Sequence, residues 1–165
     1  MDTVKFISAK LASVLSFMLA ALLAGLVITV FLQVFARNVL EIPLIWTLDV
    51  AQLIFAWCIF LGAALAIKWD AHFNLDIVPD GWDRTSSVLT FIGHIGSAIV
   101  IFVLIYHGAI FAESGLDRIS PALRIQEFWF FLPIPLGGVA MALFLIERLP
   151  EDLSNLRASF SGTKS

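Results

Sequence analysis

The residues able to do chemistry in this chain are few and far apart. His94 and His107 lie 13 residues apart in one apolar run. On a helix that separation is about 20 Å along the axis, and at about 100° per residue the two rings fall on different faces. They cannot ligate one metal together. A haem held by two histidines would need its second ligand at matching depth on another helix. His72, the third histidine, stands at or beyond the end of the preceding apolar run. A cytochrome-type membrane anchor of a redox enzyme is therefore possible only with ligands from a partner chain. Cys58 is the single cysteine and lies deep in an apolar run, so it forms no internal disulfide and reads as an inert thiol. The serines and threonines within the apolar runs have no histidine–carboxylate constellation around them, and there are no paired carboxylates and no phosphate loop. The residues point away from an enzyme, and no cofactor is expected in this chain.

The elements that must carry these residues are membrane helices. The chain has 165 residues, 60% hydrophobic and 14% charged, with a mean hydropathy of +0.96. Soluble domains carry roughly a quarter charged residues. Four stretches lack any charge: Leu11–Ala36, Val50–Ile67, Thr85–Ala112 and Phe128–Ile146, of 26, 18, 28 and 19 residues. About 20 apolar residues cross a hydrocarbon core of ~30 Å. The first stretch is longer than the ~7–15 residues of a signal-peptide core and ends in no small-x-small site, so it reads as a retained helix. Trp46, Trp69, Trp82 and Trp129 flank the runs, as an aromatic belt would. The expected fold is all-α: a four-helix integral membrane domain, 1–165, with helices at about 11–36, 47–68, 85–112 and 128–147 and a polar tail at 148–165 whose last residues, 159–165, are expected to be disordered.

Charge sets the expected orientation. Lys5, Lys10, Lys68, Arg84, Arg148, Arg157 and Lys164 fall on one side, and Arg37, Arg118 and Arg124 on the other. The positive-inside rule places both termini in the cytoplasm and the 37–49 and 113–127 loops outside. Pro43 marks the first outer turn. Thr47 is the expected N-cap of the second helix, and Asp49 suits the positive end of its dipole. The 70–84 segment alternates Phe73, Leu75 and Ile77 among four aspartates. It reads either as a short interfacial helix or as a solvated loop dipping apolar side chains. No internal repeat is visible, which argues against a complete secondary transporter.

The spans are as informative for what they omit. No Asp, Glu, Lys or Arg lies inside the four stretches. A charge at mid-bilayer costs at least ~2.5–3.5 kcal/mol and is kept mainly where it works. The chain is thus expected to hold no complete ion or proton pathway, and an autonomous channel is disfavoured. Gln33 and Gln52 can hydrogen-bond across helices. Ala21-x-x-x-Gly25, Gly62-x-x-x-Ala66 and Gly108-x-x-x-Ala112 allow close helix approach. Pro133, Pro135 and Gly137-Gly138 predict a kinked or loosened turn in the fourth span.

Two stretches carry a resemblance. One runs Gln33-Val-Phe-Ala-Arg37-Asn-Val-Leu-Glu-Ile-Pro43-Leu-Ile-Trp46, continues through Trp57-Cys-Ile-Phe-Leu-Gly62-Ala-Ala-Leu-Ala and reaches His72-Phe-Asn-Leu-Asp76. The other is Ser120-Pro121-Ala-Leu-Arg-Ile125, followed by Leu132-Pro133 and Gly137-Gly138. Together they resemble the small membrane subunit of tripartite ATP-independent periplasmic (TRAP) transporters, the DctQ-like family, over about residues 30–145. Leu48 stands where the family often has the first of two acids, and Gln126 where it often has proline. The resemblance implies a scaffold for a large membrane subunit that carries the substrate and sodium sites, working with a periplasmic substrate-binding protein in the bacterial inner membrane. It implies a partner or lipid interface at Gln33, Arg37, Trp46, Asp49, Gln52, His72 and Asp76. It further implies a periplasmic docking loop with Glu113, Asp117, Arg118, Ser120, Pro121 and Arg124. The transported solute would be an organic acid such as a C4-dicarboxylate or a sialic acid.

Overall fold

Hydrocarbon offers the backbone no hydrogen-bond partner, so a segment that enters it must satisfy its own N–H and C=O groups, as a helix does. In the computed structural model the described residues are 2–69 and 83–161, with side chains described for 6, 8–69 and 92–147. They form α1 (Asp2–Val39), α2 (Trp46–Lys68), α3 (Asp83–Ser114), a short α4 (Phe128–Phe131) and α5 (Pro133–Ser161). Four segments are long and apolar enough to cross a membrane: Ser8–Val39, Trp46–Lys68, Ile92–Ser114 and Phe128–Glu147. The only strand-like feature among the described residues is an isolated bridge between Ile119 and Gln126. The chain is thus an all-α, multi-pass membrane protein.

Helix ends differ from the expectation in informative ways. α1 begins well before residue 11, and α5 runs on through the expected polar tail to Ser161. A charged residue ends a hydrophobic run without ending a helix, because helices project through the interface into water. The 70–82 stretch, with the expected interfacial segment, His72 and Asp76, lies outside the described residues, as do 162–165. Thr47 does not cap α2. The N-cap is Ile45, which makes no side-chain cap bond, and the Thr47 hydroxyl donates back to the Leu44 carbonyl at 2.5 Å. The helical turn starts earlier than expected, so the hydroxyl meets a carbonyl instead of a free N–H. At the end of α1 the Ile42 N–H reaches the Ala36 carbonyl at 3.1 Å across Glu41, whose φ is 56°. The donor stands six residues beyond its acceptor, one more than in a Schellman closure, and Pro43 follows.

The expected break in the fourth span lies at Leu132, between α4 and α5. Pro133 and Pro135 have no N–H, so two bonds of the helical ladder are missing on this turn. Leu132 keeps helical angles, and the Leu132 and Leu136 N–H groups still bond four residues back, at 2.8 and 3.3 Å. The turn is loosened while the chain direction is kept.

The packing order is not the chain order. α1 lies on α2, α2 on α5 and α5 on α3, while α1 touches α5 more lightly. Among the described residues the backbones of α2 and α3 stand apart, with no Cα pair within 8 Å. The core gathers Leu15 of α1, Leu61 and Leu65 of α2, Met141 and Phe144 of α5, and Ile101 of α3. Two adjacent glycines let α5 sit between its neighbours. A Cβ on Gly137 would stand 2.7 Å from Phe60 Cβ and 3.1 Å from its carbonyl oxygen, and one on Gly138 2.9 Å from Ile105. Gly137→Ala is therefore expected to destabilise by about 1–3 kcal/mol through overpacking. Gly96→Ala, with nothing within 4 Å, is expected to be neutral or to stabilise by up to about 1 kcal/mol. Thermal midpoints in detergent measure the difference, and equal midpoints would reject the close crossing.

At the end of the bundle opposite the 115–127 loop, three helices are tied by polar groups. The Lys68 ammonium donates to Glu147 Oε2 at 2.6 Å and to Ser8 Oγ at 3.0 Å. The Ser8 hydroxyl donates to the same carboxylate oxygen. The Lys68 nitrogen lies 5.9 Å from the centroid of the Phe144 ring. This joins α1, α2 and α5 where their apolar packing ends.

Candidate functional site at the loop end

The loop joining α3 to α4 folds on itself before it meets the helices. Ser120 N–H bonds Ile125 O at 2.9 Å, Arg124 N–H bonds Ser120 O at 3.1 Å and Glu127 N–H bonds Arg118 O at 2.9 Å. Arg124 turns the chain with a φ of 54°. Gly115 accepts the Phe128 N–H at 3.1 Å, and a Cβ there would lie 2.6 Å from that nitrogen. Only glycine lets the two ends of the loop approach so closely. Arg118 Nε and Glu127 Oε2 pair at 2.9 Å across the loop's base.

One carboxylate fastens this loop to the bundle. Asp49 Oδ2, in the first turn of α2, accepts the Ser120 hydroxyl and the N–H groups of Ala122 and Leu123 at 3.2 and 3.3 Å. Ser120 is buried. Three donors on one charged oxygen make this the main polar tie between loop and helix.

Beside the clasp lies an open cavity of about 190 Å³, lined by Asp49, Gln52, Arg118, Ser120, Pro121, Glu127, Phe130 and Phe131. The structure thus joins residues that the sequence suggested separately. Asp49 and Gln52 of the expected interface meet Arg118, Ser120 and Pro121 of the expected docking loop. The others stand apart. Gln33 is half-buried on α1, Arg37 is exposed in its last turn, and Trp46 is 45% exposed at the start of α2. Glu113, in the last turn of α3, and Asp117 and Arg124 of the loop are exposed.

Sequence reasoning missed Glu127, the partner of Arg118, and the Ser8–Lys68–Glu147 network. The signal available for the latter was one base and one acid closing two apolar runs at the same end. His94 is buried and His107 exposed, on different faces as their spacing requires. Among the described residues no three His, Cys, Asp or Glu side chains come together as metal ligands would.

Comparison with known proteins bears on the same region. Residues 26–155 match the family described as tripartite ATP-independent periplasmic transporters, DctQ component. The chain is 29% identical over 147 residues to the sialic acid TRAP transporter small permease protein SiaQ of Vibrio cholerae, covering 87% of this chain and 82% of that one. It is 26% identical over 119 residues to the sialic acid TRAP transporter permease protein SiaT of Haemophilus influenzae, covering 70% of this chain but 19% of that protein.

Proposed function

Because this chain belongs to the DctQ component family of tripartite ATP-independent periplasmic transporters, we propose that it is the non-catalytic small membrane subunit of a sodium-driven uptake transporter for an organic acid. The match over 26–155 carries this reading, since it reaches from the middle of α1 into α5. The chemistry of the chain supports it. No charged side chain lies inside the four apolar stretches, so a carboxylate solute and its co-ion have no charged site there. The chain's part is to extend the stationary scaffold of a large subunit that holds the solute and the sodium ions. Both termini face the cytoplasm of a bacterial inner membrane, and the loop end faces the periplasm. A sialic acid, the solute named for both relatives, is the first substrate to test. The cytochrome-type anchor gains nothing from the family membership.

In liposomes the purified chain alone is expected to give no uptake of labelled sialic acid. Uptake is expected only with the large subunit, the periplasmic binding protein and an inward sodium gradient. Gradient-driven uptake by the lone chain would overturn the reading. Arg37, exposed at the outer end of α1, is proposed to hold a lipid phosphate or a carboxylate of the large subunit. Arg37→Ala should lower recovery of the complex from mild detergent, and unchanged recovery would retire that role.

The loop end is proposed to help dock the binding protein. Arg118 already pairs with Glu127, so the informative changes are charge reversals at Glu113, Asp117 and Arg124. Each is expected to slow association roughly two- to tenfold at low salt, and less at high salt. Transport unaffected by all three would assign docking to the large subunit.

A further inference from the structure

Below α4 the backbones of α2 and α3 stand apart on either side of α5. Among the described residues no Cα of α2 lies within 8 Å of one of α3, whereas α4 packs against both of them and both pack on α5. Phe131 of α4 lies against Phe111 of α3, with ring centroids 4.3 Å apart, and shares the wall of the loop-end cavity with Gln52 of α2. Gln52 therefore stands on the flank of α2 beneath α4. His107 is one turn from Phe111, at i−4, and stands on the flank of α3 beneath α4. From Gln52 the α2 flank continues through Phe55 and Ile59, and from His107 the α3 flank continues through Val103 and Val100; all four apolar side chains are exposed. These spacings of three, four and seven make each flank one continuous stripe.

The two polar residues say what covers the two flanks. Gln52 and His107 are exposed, each about 10 Å along the axis from the loop end of its helix. Among the described residues neither makes a hydrogen bond, and His107 has only an edge contact with the Tyr106 ring, at 5.1 Å. Acyl chains would leave both groups without a partner, at a cost that membrane proteins avoid by turning such side chains toward protein. The match to SiaT adds the occupant's character. It takes up 19% of that protein, so a segment like this chain is joined there to a much longer remainder within one permease polypeptide.

We infer that the gap between the α2 and α3 backbones beneath α4 receives a transmembrane helix of the large membrane subunit, which presents hydrogen-bonding groups to Gln52 and His107; this rests on the small-subunit reading above. The test uses the full-length tagged chain co-expressed with the large subunit, carrying a photoreactive benzoylphenylalanine at Phe55 or Val103. Phe17 on α1 and Phe102 on another flank of α3, both more exposed than the test positions, are the controls. Cross-linking needs near contact, so adducts with the large subunit should be at least roughly fivefold more abundant from Phe55 and Val103 than from the controls. Adducts chiefly from Phe17 or Phe102, or lipid adducts alone from Phe55 and Val103 in an intact complex, would overturn the inference and leave the small-subunit reading standing. Failure of the large subunit to co-purify with the unmodified chain would remove that reading, and the inference with it. In the double variant Gln52→Leu/His107→Leu, recovery of the complex should fall roughly three- to tenfold, as expected for lost interhelical hydrogen bonds. Unchanged recovery would overturn the polar contact.

Discussion

Asp49→Ala is expected to loosen the 115–127 loop and lower stability by roughly 2–4 kcal/mol, because one carboxylate oxygen holds three donors. Alanine leaves the Ser120 hydroxyl and the Ala122 and Leu123 N–H groups without their acceptor. Ser120 is 3% exposed, so water does not readily replace the carboxylate at that hydroxyl. Asp49→Asn keeps an acceptor oxygen but removes the charge, and should lose about half as much. Ser120→Ala removes one of the three bonds and should cost about 1 kcal/mol. The thermal midpoint in detergent and the rate of protease cleavage within 116–126 measure these effects. For Asp49→Ala the midpoint should fall by roughly 5–15 °C on the usual scaling for a chain of this size. An Asp49→Ala protein with an unaltered midpoint and an uncut loop would show that the clasp does not hold the loop. The consequence for function is local. Asp49 both fastens the loop and lines the cavity above the α2–α3 gap, so loop position and partner-facing surface should fail together.

Lys68→Met is expected to be comparably damaging at the other end of the bundle. The Lys68–Glu147 pair is mostly shielded, with side chains 20% and 11% exposed. Breaking such a pair by removing one member costs about 3–5 kcal/mol in fully buried settings. The residual exposure of both groups places the expectation nearer roughly 2–3 kcal/mol. The double change Lys68→Met/Glu147→Met tests the cause, because replacing a buried pair by apolar side chains of similar volume is often neutral. It should restore most of the lost midpoint. A double variant as unstable as the single one would mean that lost packing, and not the broken Lys68–Glu147 pair, is responsible. Ser8→Ala should have the smaller effect of one hydrogen bond, about 1 kcal/mol.

Residue patterns alone determined the spans, because hydrocarbon thickness sets a length and excludes charge, and both are properties of contiguous sequence. The Pro133–Pro135 break was legible for a similar local reason: a missing N–H is visible in the residue type. The two outer sets of candidate residues were legible through motif resemblance, but their junction was not. Asp49 and Ser120 are 71 positions apart, and Lys68 and Glu147 are 79 apart. Only the tertiary structure decided those pairings, together with the order α1, α2, α5, α3. The physical reason is that lipid is as apolar as the helix faces themselves. A soluble helix announces its buried side by a polar opposite face, whereas these spans carry only isolated polar residues such as Gln33, Gln52 and His107. Contact partners are then chosen by shape, at Gly137 and Gly138, and by a few polar groups meeting at the membrane's edges, and neither can be read from a single helix.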